Sequence, residues 1–237
     1  MRIGIHPSVF DRFPKYCRGL VIGHGISNAT VDPLLTERLR AAELALRRTL
    51  PAEDWRAHPR VAAWLRAFQE LGIPTGARPP SLAALVKRVL KGGTLPFINQ
   101  VVSLMNIASL ERLVPCGGDD LHSAGGDLLL RPATGAESYR PLGRPDVLEH
   151  PDPGEIVYVA GDAIVLCRSW CWRNSDVTKL TEASTAVCLN LDFMAPAVST
   201  QEHEPAARAL ADDLSRHCGG EVTWHLLTPA EPTVDVL

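Results

Sequence analysis

Lys91-Gly92-Gly93-Thr94-Leu95-Pro96-Phe97-Ile98-Asn99, an apolar segment through Asn106 to Leu113, then Pro115-Cys116-Gly117-Gly118-Asp119-Asp120 and Leu128-Leu129-Leu130-Arg131 form one of two informative stretches of the chain. The other is Cys167-Arg168-Ser169-Trp170-Cys171-Trp172-Arg173-Asn174-Ser175-Asp176-Val177-Thr178-Lys179. In the first, amides and glycines bracket an apolar helix predicted from about Asn99 to Leu113, which is the composition of a pocket wall. Asn99 and Asn106 are seven residues apart and share one face of that helix. Asparagine is a mediocre helix former, so the pair reads either as side chains recruited for a ligand or as caps and satisfied core groups. Gly117-Gly118-Asp119 reads as a turn. It either offers backbone N–H donors, with Asp119 or Asp120 holding an amine, or is the C-terminal turn of a helix with solvated acids. In the second stretch, Trp170 and Trp172 alternate with Ser169 and Cys171, so an extended segment sends both indoles to one face and Arg168 to the other. The indoles then wall an aromatic ligand, stack an unpaired base, or plug the sheet edge. Thr178 and Lys179 cap a helix or reach a phosphate.

Working outward, Asp32-Pro33, His58-Pro59 and Ser81 after Pro79-Pro80 are helix starts. The helices they open carry Leu35, Leu39, Ala42 and Leu46; Val61, Trp64, Leu65, Phe68 and Leu71; and Leu82, Leu85, Val86, Val89 and Leu90 at helical spacing. Arg38, Arg40, Arg47 and Arg48 lie on the far face of the first, either solvated or as a phosphate-contacting ridge. Lys87, Arg88 and Lys91 project from the third, which Gly92-Gly93 ends, and with Lys179 they are candidate RNA contacts. Strands are predicted at Arg2 to Ile5, Leu20 to Ile26, Asp127 to Arg131, Glu155 to Val159, Ala163 to Arg168, Ala186 to Leu191 and Glu221 to Leu227, with a hairpin turn at Gly161-Asp162. Glu202 to Cys218 is a further amphipathic helix.

A length of 237 residues is long for one domain and short for two. Residues 1–200 are read as the main domain and 201–237 as a helix-strand extension on the same body. Hydrophobic residues at 46% with 22% charged allow a proper core, and a net charge of -3 argues against a protein held to nucleic acid by bulk charge alone. No signal peptide is read at the N-terminus and no run approaches the roughly 20 apolar residues of a membrane span, so a cytoplasmic location and no membrane partner are expected. The six cysteines are expected to be thiols. Cys167 and Cys171 have no second pair to complete a zinc site, and Gly23-His24-Gly25 lacks the full phosphate-loop pattern, so neither metal nor cofactor is expected.

His58-Pro59, Arg78-Pro79-Pro80-Ser81, Lys91-Gly92-Gly93, Leu95-Pro96, Ile98-Asn99, Pro115 to Leu121, Gly126-Asp127, Gly154 to Tyr158, Cys167-Arg168, Trp170, Trp172-Arg173 and Thr178-Lys179 occur in an order that resembles the B3/B4-type editing module of the bacterial phenylalanyl-tRNA synthetase beta chain, in particular its free-standing relatives. The resemblance covers about Arg2 to Phe193. It implies a single α/β (α+β) domain with a mixed, mainly antiparallel sheet surrounded by helices, and a central pocket that in the synthetase hydrolyses tyrosine wrongly esterified to tRNA. Gly117 stands where the synthetase module has a histidine, and the Cys167 to Asn174 segment replaces its glycine-rich turn. Free-standing relatives tend to carry asparagine at the position of Cys171 and an acid at that of Ser103.

The expectation is therefore a trans-acting deacylase of aminoacylated tRNA, with a synthetase as a further partner. Asn99, Gly117, Gly118 and Asp119 are the candidate catalytic set, and Asn106, Arg168, Trp170, Trp172, Asn174 and Thr178 the substrate-binding set. An aminoacyl ester is labile, so an oriented water and oxyanion donors suffice. The competing readings are a tRNA- or amino-acid-binding module without hydrolysis, an accessory subunit of a synthetase, and a Cys-His hydrolase using Cys116 or Cys167 with His58 or His122.

Overall fold

A proline behind a capping side chain opens the N-terminal helices. Asp32 accepts hydrogen bonds from the N–H groups of Leu34 and Leu35, and His6 and His58 accept from Ser8 and Arg60. The structure, a computed structural model, describes residues 1–28, 31–161 and 163–236; Asp162 of the expected hairpin lies outside these. In chain order the elements are β1 (Arg2–Ile5), α1 (Pro7–Arg12), β2 (Tyr16–His24), α2 (Pro33–Thr49), α3 (Pro59–Glu70), α4 (Ser81–Leu90), α5 (Gln100–Arg112), β3 (Cys116–Asp120), α6 (Leu121–Ala124), β4 (Leu128–Pro132), β5 (Ile156–Ala160), β6 (Ile164–Arg168), β7 (Arg173–Asn174), β8 (Ala186–Met194), α7 (His203–Cys218), β9 (Glu221–Leu227) and β10 (Thr233–Asp235).

The fold is a mixed α+β domain whose strands divide into two sheets, ordered β10-β1-β4-β5-β6-β7 and β3-β8-β2-β9. Pairing is antiparallel except between β1 and β4. Helix α5 packs on β3 and against α2 and α7, while α7 covers β2 and β9. The main core runs continuously between the sheets and helices, and a smaller one, around Tyr139, Val157, Val159 and Val165, lies under the loop that follows β4. The C-terminal residues complete both sheets: β9 pairs with β2, and β10 with β1.

Several local expectations change. Strand β2 starts at Tyr16, because Arg18 is buried inside the sheet instead of interrupting it. Ser81 is the first residue of α4, not its cap, and it donates its N–H to Cys171 O at 2.8 Å. The Gly117-Gly118-Asp119 segment is not a turn but the middle of β3. Three of the four α2 arginines are engaged within the protein: Arg38 pairs with Glu111 and Asp213, Arg40 with buried Glu43, and Arg47 donates to the carbonyls of Val89 and Gly93, while Arg48 is exposed.

Candidate active site

Where the two sheets meet, a cavity of about 90 Å³ opens between α4, α5, β3 and the turn after β6. β3 and β8 supply Gly117, Gly118, Asp119, Asn190 and Asp192; α5 supplies Met105; the first sheet and its turn supply Tyr158, Cys167, Trp170, Cys171 and Asn174. Its rim is half-buried at Ser81, Cys116, Gly117 and Asn174, and its floor is buried.

β3 is an edge strand, so one row of its main-chain groups is free of sheet pairing. Along that row Asp120 donates its N–H to Thr178 O at 3.0 Å, and Gly118 O accepts from Asn174 Nδ2 at 3.1 Å. Residues two apart in a strand project their main-chain groups to the same side, so the Gly118 N–H also points off this edge beside Asn174. The two glycines have different reasons to be small. A Cβ on Gly118 would lie 2.6 Å from Leu189 Cδ2, 2.8 Å from Met105 Sδ and 3.1 Å from Cys188 O, whereas one on Gly117 would meet only Asn174 Oδ1, at 3.9 Å. Gly118 thus lets α5 approach the sheet, and Gly117 leaves the cavity open. Gly118→Ala is expected to cost about 1–3 kcal/mol, measurable as a lower urea midpoint at unchanged slope; full stability would mean that Met105 and Leu189 yield freely.

Asp119 is buried, and burial pushes its carboxyl up to about 7. The Thr178 hydroxyl, which donates to Asp119 Oδ1 at 2.6 Å, and the more distant Arg18 charge oppose that rise, while Asp120 adds to it. Below it, Asp192 accepts hydrogen bonds from the hydroxyls of Tyr16 and Tyr158, the latter at 2.8 Å, and faces Arg18 Nε at 3.8 Å. Arg18 is 1% exposed and its guanidinium lies 4.2 Å from the centre of the Tyr158 ring.

The segment from Ser169 to Trp172 is not extended. Ser169 and Trp170 both have left-handed backbone (φ 47° and 62°), held by bonds from Trp170 N to Ile156 O and from Trp172 N to Arg168 O, and by Ser169 N and Oγ on Glu155 Oε1. Such strain in non-glycine residues concentrates at functional sites. It sends the indoles apart. Trp170 is fully buried, edge-on to Phe13, Tyr16 and Trp64 at 4.9–5.1 Å, while half-buried Trp172 lies outside the cavity with Arg78 over its ring at 5.7 Å. The Trp170 Nε1–H is buried without a hydrogen-bond partner among the described residues.

Of the sequence candidates, Gly117, Gly118, Asp119, Trp170 and Asn174 converge on the cavity, and Thr178 supports it through Asp119. The others lie elsewhere. Asn99 caps α5, accepting from Val102 N and donating to Leu180 O, and Asn106 is half-buried on the helix away from the cavity. Ser103 is buried and donates to Asn99 O. Arg168 is held by Glu155 at 2.6 Å and Glu149 at 3.1 Å, and Lys179 by Asp176 at 2.9 Å. Sequence reasoning missed Met105 as a wall and Asn190, Asp192, Tyr158, Tyr16 and Arg18. The available signal was polar residues inside otherwise apolar strands: Asn190 and Asp192 within β8, and Arg18 within β2.

A thiol nucleophile fits poorly here. Burial pushes the Cys116, Cys167 and Cys171 thiols upward, so little thiolate forms, and neither His58 nor His122 lines the cavity. Among the described residues no cluster of His, Cys, Asp or Glu is arranged to hold a metal ion, and no helix is long and apolar enough to cross a membrane.

A larger groove of about 760 Å³ runs along α4, carrying Trp55, Arg56, Lys87, Arg88 and Lys91. Its lining contains no acid, cysteine or histidine. Its four cations are exposed and form no ion pair among the described residues. Pro79, Ala83 and Ala84 carry its wall along α4 to the neighbourhood of Ser81 on the cavity rim.

No curated protein matches the chain at a significant level. A solved N-terminal fragment of the phenylalanyl-tRNA synthetase beta-subunit from Pyrococcus horikoshii is similar in structure, with 11% sequence identity and a TM-score of 0.47, over 93% of this chain and 49% of that one. The chain thus spans about half the length of that fragment. The model of the family described as B3/4 domain matches residues 63–218, more than half of the sequence and including every residue that lines the cavity. By that match, the chain belongs to the B3/4 domain family.

Proposed function

We propose that this B3/4 protein hydrolyses the ester of mischarged tRNA in trans, with the cavity between its sheets receiving the aminoacyl group. The observation that carries this reading is Asp119, a buried carboxylate on the cavity wall with its proton affinity raised to about 7. A base of that strength is half ionised at neutral pH, where a general base is most effective. Asp119 takes a proton from a water as the water oxygen bonds to the ester carbon. The Gly118 N–H, on the unpaired edge of β3, is a donor available to the oxyanion that forms. The bond to the ribose oxygen then breaks, and Asp119 returns the proton to that oxygen. Thr178 orients the carboxylate throughout.

Arg56, Lys87, Arg88 and Lys91 provide the contact to the tRNA backbone, a role the net charge of -3 confines to a local patch. Lys87→Ala combined with Lys91→Ala is expected to weaken tRNA binding and to reduce the slope of log affinity against log salt by about 2, one for each phosphate no longer neutralised. An unchanged slope would remove this groove from the interface.

The test of the whole reading is release of free amino acid from a panel of aminoacylated tRNAs, measured against spontaneous hydrolysis. Release well above background supports the deacylase. Retention of tRNA without release supports the second reading, a binding module that kept the pocket and lost the chemistry, which the glycine at position 117 in place of the synthetase histidine favours. A synthetase captured with the chain would add the partner the sequence resemblance implies.

A further inference from the structure

We infer that the cavity takes an aminoacyl group with a very small side chain, of the alanine or serine class, and excludes aromatic ones; this rests on the deacylase reading above. Its volume is about 90 Å³. A cavity of ~150 Å³ is what holds a benzene ring in a protein interior, so a phenyl or phenol group does not fit the space between Gly117 and Trp170.

The walls have nowhere to retreat. Trp170 is fully buried and wedged edge-on among Phe13, Tyr16 and Trp64, so displacing it breaks the aromatic cluster of the core. Met105 sits close enough to Gly118 that even a methyl group there would collide with its sulfur. Opposite, Tyr158 is fixed by its hydrogen bond to Asp192 and by the Arg18 guanidinium over its ring. Close-packed interiors of this kind do not open by thermal breathing to admit several extra carbon atoms.

The lining also suits a small polar guest. Asn190 and Asn174 line the same space, and Gly117 adds no side chain to it.

The experiment compares the purified chain on tRNAs carrying alanine, serine, phenylalanine and tyrosine, with binding of amide-linked, nonhydrolysable seryl- and tyrosyl-adenosine measured by calorimetry in parallel. Alanyl and seryl esters are expected to be released on the order of 100-fold faster than the aromatic ones, with the seryl analogue bound more tightly. Equal or faster release of tyrosine or phenylalanine overturns the size limit and leaves the deacylase standing. If nothing is released the deacylase falls, and the calorimetry then decides the size limit alone: tighter seryl binding upholds it, and equal or tighter tyrosyl binding overturns it. Gly117→Val places its extra carbons in the cavity without touching the core. It is expected to abolish seryl binding and release at an unchanged unfolding temperature, and a fully functional Gly117→Val overturns the placement of the acyl group.

Discussion

Asp119→Asn is expected to lower the rate of the proposed ester hydrolysis by about 10²–10⁴-fold, the usual contribution of a positioned general base. Asparagine keeps the shape and can still accept from Thr178, so tRNA binding should be unchanged. The parent rate should fall tenfold per pH unit below about 7 and level off above it, as the carboxylate is progressively protonated. The variant should show no such limb. A variant retaining a tenth of the parent rate would remove Asp119 from the chemistry.

The same substitution has a second, opposite effect on stability. In the unfolded chain the Asp119 carboxyl titrates near its ordinary 3.8 and in the folded chain near 7. The folded protein therefore keeps the proton over a range where the unfolded chain has lost it. This stabilisation is complete below about pH 4 and is lost as pH rises through 7, a difference on the order of 4 kcal/mol. An amide side chain does not ionise, so at pH 8 the Asp119→Asn variant should be the more stable protein by up to about that amount, while near pH 4 the two should unfold at similar denaturant concentrations. Burying an ionisable acid thus destabilises the fold at the pH where the proposed chemistry needs it.

Asp192→Ala is expected to destabilise the fold severely, costing about 3–5 kcal/mol of a total that for ordinary domains is about 5–15 kcal/mol. It strips the carboxylate from Arg18, which is 1% exposed, and removes the acceptor of both the Tyr16 and Tyr158 hydroxyls. Urea unfolding at neutral pH measures it. A loss under about 1 kcal/mol would mean that the Tyr158 ring and the remaining dipoles alone hold the guanidinium.

The helices were legible wherever a start signal and a 3.6-residue apolar pattern coincided, as at Asp32-Pro33 and His58-Pro59. Central strands were legible as apolar runs, although Tyr16 to Gly19 was hidden by a charge that only the fold neutralises. Strand β10 could not be read, since three residues in a proline-containing tail carry no periodicity and are fixed by pairing with β1. Gly117-Gly118 read as a turn because glycine pairs usually are; here they permit close approach within a strand. The cavity's glycines, Asp119, Trp170 and Asn174 stood out as unusual residues in short stretches. The cluster beneath them did not, because Tyr16 and Asp192 are 176 residues apart and meet only in three dimensions. Asn99 shows why sequence alone left its role open: a capping amide and a ligand-binding amide have the same letter, and only the structure shows that this one caps α5.

Trp170 belongs at once to the cavity wall and to the aromatic heart of the molecule. Selection on what the cavity accepts and selection on folding therefore act on the same indole, and most replacements there sacrifice both. A change in what the cavity holds has an easier route through Gly117, where new atoms enter empty space. A lineage exploring new ligands would be expected to vary at that glycine first and at the tryptophan last.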